Sequence, residues 1–189
     1  FLCTMHKEPS GVRIMAYTTI DDPSVYFQTV LWSGSGSGQA ITNGGNSDLQ
    51  PDFVWLKKRA GGSARSHGLY DSSRGVTKLL HSNGNNAEST QGAGLTAFGS
   101  DGFTVGDDDG NDGSGGTYVG WQWKANGGTE TNSQAESGSN IACSVQANTT
   151  AGFSVVTYTG TGGTGHTFLH GLGSAPAFFI IKRRSGTED

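Results

Sequence analysis

The sequence predicts an all-β protein, an antiparallel β-sandwich followed by the incomplete start of a second copy. Three observations carry that expectation. Glycine makes up 32 of the 189 residues, more than twice the average share of about 7%, which disfavours long helices and favours short strands joined by tight turns. The segment Tyr118 to Lys124 alternates, with Val119, Trp121 and Trp123 on one face and Tyr118, Gly120, Gln122 and Lys124 on the other, the period of a strand. The bulkier face is assigned to the core.

The third observation is a duplication. Pro51-Asp52-Phe53-Val54-Trp55-Leu56-Lys57-Lys58-Arg59 recurs as Pro176-Ala177-Phe178-Phe179-Ile180-Ile181-Lys182-Arg183-Arg184, at an offset of 176 − 51 = 125 residues. The lead-ins match too: Val30-Leu31-Trp32-Ser33-Gly34 against Val156-Thr157-Tyr158-Thr159-Gly160, each followed by a glycine-rich loop. Two tandem units are expected. A proline followed by four bulky residues suits the first position and body of a strand. The continuous apolar run predicts a central strand covered on both faces, and the cations predict its return to water.

In chain order, 1–14 carry neither repeat nor pattern and read as a non-native or upstream leader before Met15. Asp21-Asp22-Pro23 is a turn, and strands are expected over 26–32, 40–42, 53–58, 67–71, 76–81, 95–98, 102–106 and 118–124. Asp101-Gly102 marks the turn between two of them. The first unit is 15–125. The stretch 126–139, without an apolar residue larger than alanine, is expected to be an interdomain linker. A hairpin of 141–146 and 153–158 opens the second unit, 140–189, which is expected to continue past Asp189. Nine Phe, four Trp and five Tyr supply the core.

The net charge of −4 and pI near 5.7, with cations scattered rather than striped, give no footprint for nucleic acid. No apolar run reaches the length of a membrane span, and the N-terminal residues lack the apolar segment of a signal peptide. Cys3 and Cys143 are read as free thiols rather than a disulfide framework.

The chemistry-bearing residues are sparse. Glu8, Glu88, Glu130, Glu136 and Glu188 fall in polar loops or at the ends, so no strand presents the paired carboxylates of glycoside hydrolysis. Gly160-Thr161-Gly162-Gly163-Thr164-Gly165 has the spacing of a dinucleotide fingerprint, but Phe168-Leu169-His170-Gly171 follows in place of a helix. The histidines do not cluster. The metal candidate is the acidic loop 107–113: Asp107, Asp109, Asn111 and Asp112 offer hard oxygen ligands suited to Ca²⁺. Against calcium, an EF-hand needs Gly where Asp112 stands and Glu where Tyr118 stands, and an exposed turn is the favoured reading of the loop.

Several segments together resemble a known family: Leu49 to Lys57, His67-Gly68-Leu69-Tyr70-Asp71-Ser72-Ser73-Arg74-Gly75, Asp101-Gly102-Phe103-Thr104-Val105-Gly106, Thr117 to Ala125, Ala151 to Gly160 and His170-Gly171-Leu172-Gly173. They are similar to a repeated domain of unknown function in tailed-phage structural proteins, especially large marine-phage virion or tail-fibre-like proteins. The resemblance implies a concanavalin A-like, jelly-roll sandwich and a virion setting, and brings no catalytic residues. The expected function is a non-enzymatic virion protein, a tail fibre or host-contact appendage binding cell-surface glycans. Its expected partners are other virion proteins and host glycans, with a homo-oligomer open and neither nucleic acid nor membrane insertion. The alternatives are a capsid or tail decoration protein without ligand and a divergent polysaccharide hydrolase.

Overall fold

The computed structural model describes residues 20–187. The expectations for 1–14, for Met15 and for Cys3 lie outside the described residues.

Twelve strands follow one another: β1 Phe27–Ser33, β2 Gln39–Thr42, β3 Phe53–Ala60, β4 Gly68–Asp71, β5 Lys78–His81, β6 Ser89–Thr90, β7 Leu95–Gly99, β8 Gly102–Val105, β9 Thr117–Trp123, β10 Asn132–Gln134, β11 Cys143–Asn148 and β12 Phe153–Tyr158. All pair antiparallel. A six-stranded sheet runs β1-β9-β3-β4-β5-β6, a three-stranded sheet β2-β8-β7, and a second three-stranded sheet β10-β11-β12. The first two enclose a core of Ile41, Val54, Leu56, Tyr70, Leu95, Phe103 and Val105, with Val30, Trp32, Leu79 and Phe98 packed against it. This is the two-sheet architecture that the glycine content and the alternation predict.

β3 takes the central place expected of it, between β9 and β4. Val54 and Leu56 are fully buried while Phe53 and Trp55 face the other side half-buried. Of the cations, Arg59 marks the exit to water as expected, Lys57 is half-buried, and Lys58 turns inward. Lys58 is paired with inward-facing Tyr118, is only 6% exposed, and places Nζ 2.7 Å from Asp109 Oδ1. An ion partner from the acidic loop lets the strand continue inward past its apolar run.

β9 corrects the expected facing in part. Tyr118 and Gln122, both 0% exposed, point into the core with Gly120 between them; on the other face Val119 is buried as expected, 7% exposed, whereas Trp121 and Trp123 are half-buried. A Cβ at Gly120 would stand 3.1 Å from Phe103 and 3.3 Å from Leu56 and Trp32. The glycine therefore admits the Phe103 ring from the facing sheet beside Trp32 of neighbouring β1, and Trp32 stacks on Tyr118 at 5.4 Å and meets Phe103 edge-on at 5.7 Å. Alternation separates two faces but does not say which is inside.

The segment 126–139 is not a bare tether. It contains β10, and its beginning is pinned: Asp52, 0% exposed, accepts from the backbone N–H of Ala125 (2.7 Å), Gly127 (3.0 Å) and Gly128 (2.9 Å) and from Ser72 Oγ (2.7 Å). Gly127 and Gly128 have φ of 66° and 78°, a region that only glycine enters freely. Gln146 of β11 accepts from Asn126 N and Gly128 N and donates to Ser72 and Ser73. Phe153 of β12 lies over Trp123 and Phe53. The β11–β12 hairpin forms as the sequence predicts. The repeated stretch Pro176 to Arg184 does not form a strand, and Phe178, Phe179, Ile180 and Ile181 are 76, 72, 47 and 58% exposed. At Phe53–Ala60, β4 and β9 flank the matching sequence and bury it; among the described residues no strand flanks 176–184.

Candidate binding cleft

Where β4 and β5 extend the six-stranded sheet, its inner side opens into a cleft of about 320 Å³, at the small end of the roughly 300–1,000 Å³ usual for small-molecule sites. Gly68, Tyr70, Leu79 and His81 form the floor. The floor is built by register. Gly68 and Tyr70 oppose the inward-facing Leu56 and Val54, and His81 opposes Gly68. One wall comes from Gln91 and the 108–111 turn, the other from 64–66.

The polar groups of this cleft are held in place. Asp108 accepts from Gln91 Nε2 at 2.6 Å and from Gly110 N at 2.8 Å. Gln91 is itself fixed through its N–H to Thr77 O at 2.8 Å. Thr77 has φ of 65°, a strained setting for a β-branched residue. Asn111 is buried, accepts on its carbonyl from Trp32 Nε1 at 3.0 Å and points its amide at Tyr70 Oη, 3.4 Å away. Burial pushes the Tyr70 phenol up, so it stays a neutral hydroxyl. His81 Nδ1 stands 2.9 Å from the His67 carbonyl. A carbonyl only accepts, so the proton of neutral His81 sits on Nδ1 and Nε2 is the acceptor. Trp55 Nε1 donates to His67 Nδ1 at 2.8 Å; burial first, and then Lys57, hold His67 below its ordinary value, which favours that neutral acceptor. The polar groups that line the cleft, Asp108, Gln91 and His81, suit a ligand rich in hydroxyls, while Tyr70 and Asn111 are buried behind them.

The four residues expected to bind calcium are dispersed. Asp107 is exposed. Asp109 is ion-paired with Lys58 and Arg65, each at 2.7 Å, and the hydrogen bonds from those two cations hold its carboxyl below the usual range. Asn111 belongs to the cleft wall. Asp112, 0% exposed, accepts from Ser35 N (3.0 Å) and Gln39 Nε2 (2.6 Å) on Oδ1 and from Ser35 Oγ (2.6 Å) and Gly38 N (2.9 Å) on Oδ2. These oxygens are already occupied by protein donors, and among the described residues no group of three or more His, Cys, Asp or Glu is placed to hold a metal. The loop is an acidic turn whose carboxylates tie it to β3 and to the loop after β1. Cys143 is free and buried.

Sequence reasoning missed Asp52 and Asp112 as buried acceptors, and it missed the ion network of Arg74, 4% exposed in its side chain, with Asp71 and Glu88. Asp71 and Arg74 are three residues apart in a turn, a spacing legible in sequence. The contact from Glu88 to both Arg74 and Arg184 has no local signal.

Fold and cleft together define an all-β protein in which two antiparallel sheets enclose the core, a third packs beside them, and an open polar groove lies where β4 and β5 extend the main sheet. The chain belongs to the family described as Domain of unknown function (DUF7483), matched over residues 22–189. No curated protein and no solved structure matches the chain.

Proposed function

We propose that the protein is a non-enzymatic attachment module of a phage particle, a tail fibre or host-contact appendage that holds cell-surface glycans in the cleft between Tyr70, His81 and Asp108. The observation that carries this reading is the fixed polar lining just described: Asp108 and His81 Nε2 supply acceptors to the cleft, backed by the buried Tyr70–Asn111 pair. A saccharide presents alternating hydroxyls that can both donate and accept. The virion setting rests on the family resemblance given by the motifs around Pro51, His67 and Thr117, as does the concanavalin A-like, jelly-roll form of the sandwich. The duplication supports a second unit beginning near residue 140. Repeated sites on one particle raise avidity through effective concentration.

Asp108 is the one carboxylate lining the cleft, and neighbouring Asp109 is committed to two cations, which argues against the hydrolase reading. The decoration-protein reading has its own support in the exposed apolar run Phe178 to Ile181, a surface for protein rather than glycan.

The test is a glycan array with and without Ca²⁺, followed by titration of any hit. Asp108→Asn and His81→Ala are expected to weaken binding at least about tenfold each, roughly 1.4 kcal/mol, with unchanged circular dichroism. Calcium is expected to make no difference, because the acidic loop is self-satisfied. A silent array with folded protein moves the assignment to a structural virion component, and release of reducing ends from polysaccharide would restore the hydrolase.

A further inference from the structure

The six-stranded sheet has two unlike edges. β6 has two residues, and Arg184 O accepts from the neighbouring Glu88 N–H. Shortness and cover are ordinary protections of a sheet edge. β1 has neither. It is seven residues long, Phe-Gln-Thr-Val-Leu-Trp-Ser, without charge, proline or glycine, and it keeps unbroken register with β9 from Phe27 to Ser33, so no bulge turns it away. Among the described residues no strand pairs with its other side.

The direction of its backbone groups follows from the ends. Tyr26 O accepts from Lys124 N, and Gly34 N donates to Gly116 O, so even-numbered residues turn toward β9. Phe27, Thr29, Leu31 and Ser33 must then turn their N–H and C=O outward. Ser33 O already accepts from Gln39 Nε2 at 2.8 Å, which leaves Phe27, Thr29 and Leu31 as the open stretch. Their side chains share the outer face, where Leu31 is 60% and Phe27 40% exposed. That face continues onto Val119 and Trp121, their cross-strand neighbours.

We infer that β1 is the seat of a second copy of this chain, pairing antiparallel with its own equivalent about a two-fold axis through Val30, so that two six-stranded sheets become one. In that register Thr29 exchanges backbone hydrogen bonds with Leu31 of the partner copy and the reverse, placing a bulky residue beside a smaller one on the outer face. Antiparallel self-pairing sets every charge near its own kind; β1 carries none, so the pairing meets no like-charge penalty. The contact is isologous and closes at two chains. It does not depend on the glycan assignment.

The experiment is sedimentation velocity of the whole chain from about 1 to 500 μM, the range of weak to moderate association, with Thr29→Pro and Leu31→Lys alongside. Thr29 N–H points away from β9, so proline there removes a donor from the open edge and none from the ladder; Leu31→Lys adds a charge on an exposed site. The expected result is a concentration-dependent dimer that both variants shift to monomer by at least tenfold in dissociation constant, with the wild-type circular dichroism retained. Ser89→Lys on the opposite edge leaves the dimer intact. A wild-type chain that stays monomeric throughout overturns the inference. So do a dimer that a folded Thr29→Pro or Leu31→Lys chain retains and an assembly larger than two chains.

Discussion

Replacing Asp52 with alanine is expected to cost about 2–4 kcal/mol, because the backbone N–H groups of Ala125 and Gly127 and the Ser72 hydroxyl would lose their acceptor inside the protein, while Gly128 N keeps Gln146 Oε1, and each buried orphan donor costs roughly 1–3 kcal/mol. Asparagine is expected to cost less. Oδ1 of Asp52 accepts from Ser72 and Gly128, and Oδ2 from Ala125 and Gly127. With its oxygen at the Oδ2 position an amide keeps Ala125 and Gly127, and its NH₂ meets Ser72 Oγ, which can accept, and Gly128 N–H, which retains Gln146 Oε1. The measurement is urea unfolding together with limited proteolysis within 126–139. Asp52 and Gln146 jointly hold the start of that segment, so Asp52→Ala should open it to cleavage and should free Phe153 from Trp123, raising the exposure of tryptophan to a quencher. A variant with unchanged stability and protection would mean that Gln146 and the Phe153 contact suffice to hold the junction.

That junction also shows what was legible in the sequence. The strands themselves were, since period-two alternation and turn residues are local signals. β1, β2, β3, β7, β8, β9, β11 and β12 lie where the pattern puts them, within a residue or two. What failed was anything that depends on distant partners. Asp52 sits at the start of a strand in a Pro-Asp pair and looks like turn chemistry; its role appears only when Ala125 to Gly128 pass beside it. Lys58 reads as a strand exit until Asp109 is brought over it. The two faces of β9 are distinguishable in sequence, but Gly120 decides which is inside by admitting Phe103, a choice made by the other sheet. The cleft was not legible either. Its residues come from four separated stretches, 64–70, 79–81, 91 and 108–111, and His67 and His81 look merely like flanks of a hairpin until pairing of β4 with β5 brings His81 Nδ1 to the His67 carbonyl. The acidic loop resembles metal ligands in composition, but the carboxylates of Asp109 and Asp112 are taken by Lys58, Arg65, Ser35, Gly38 and Gln39, distant partners that the composition does not show.

Asp112 gives the other large expected effect and a pH signature to go with it. Asp112→Ala is expected to destabilise by about 1–3 kcal/mol, since the Ser35 and Gly38 N–H groups and the Gln39 amide lose their acceptor at the half-buried base of an exposed loop. Burial pushes the Asp112 carboxyl up, but the hydrogen bonds from Ser35, Gln39 and Gly38 outweigh it and hold the group below the usual range. A carboxyl with a depressed folded-state value contributes stability that is fully present above its unfolded value, about 4, and is lost as pH falls through the folded value. Hydrogen bonds from Ser24 and Ser47 depress Asp22 in the same sense. At Glu88, burial pushes the carboxyl up and the bonds from Arg184 and Arg74 bring it below its usual value. The wild-type chain should therefore lose stability steadily below about pH 4.5, and Asp112→Asn should show a shallower acid limb because it has one fewer carboxylate to protonate. The gap between the two proteins should narrow as pH falls below about 4. Parallel acid limbs for the two would place the proton uptake at Asp22, Asp109 and Glu88 and show that the acceptors of Asp112 hold the Ser35 loop without dependence on its charge.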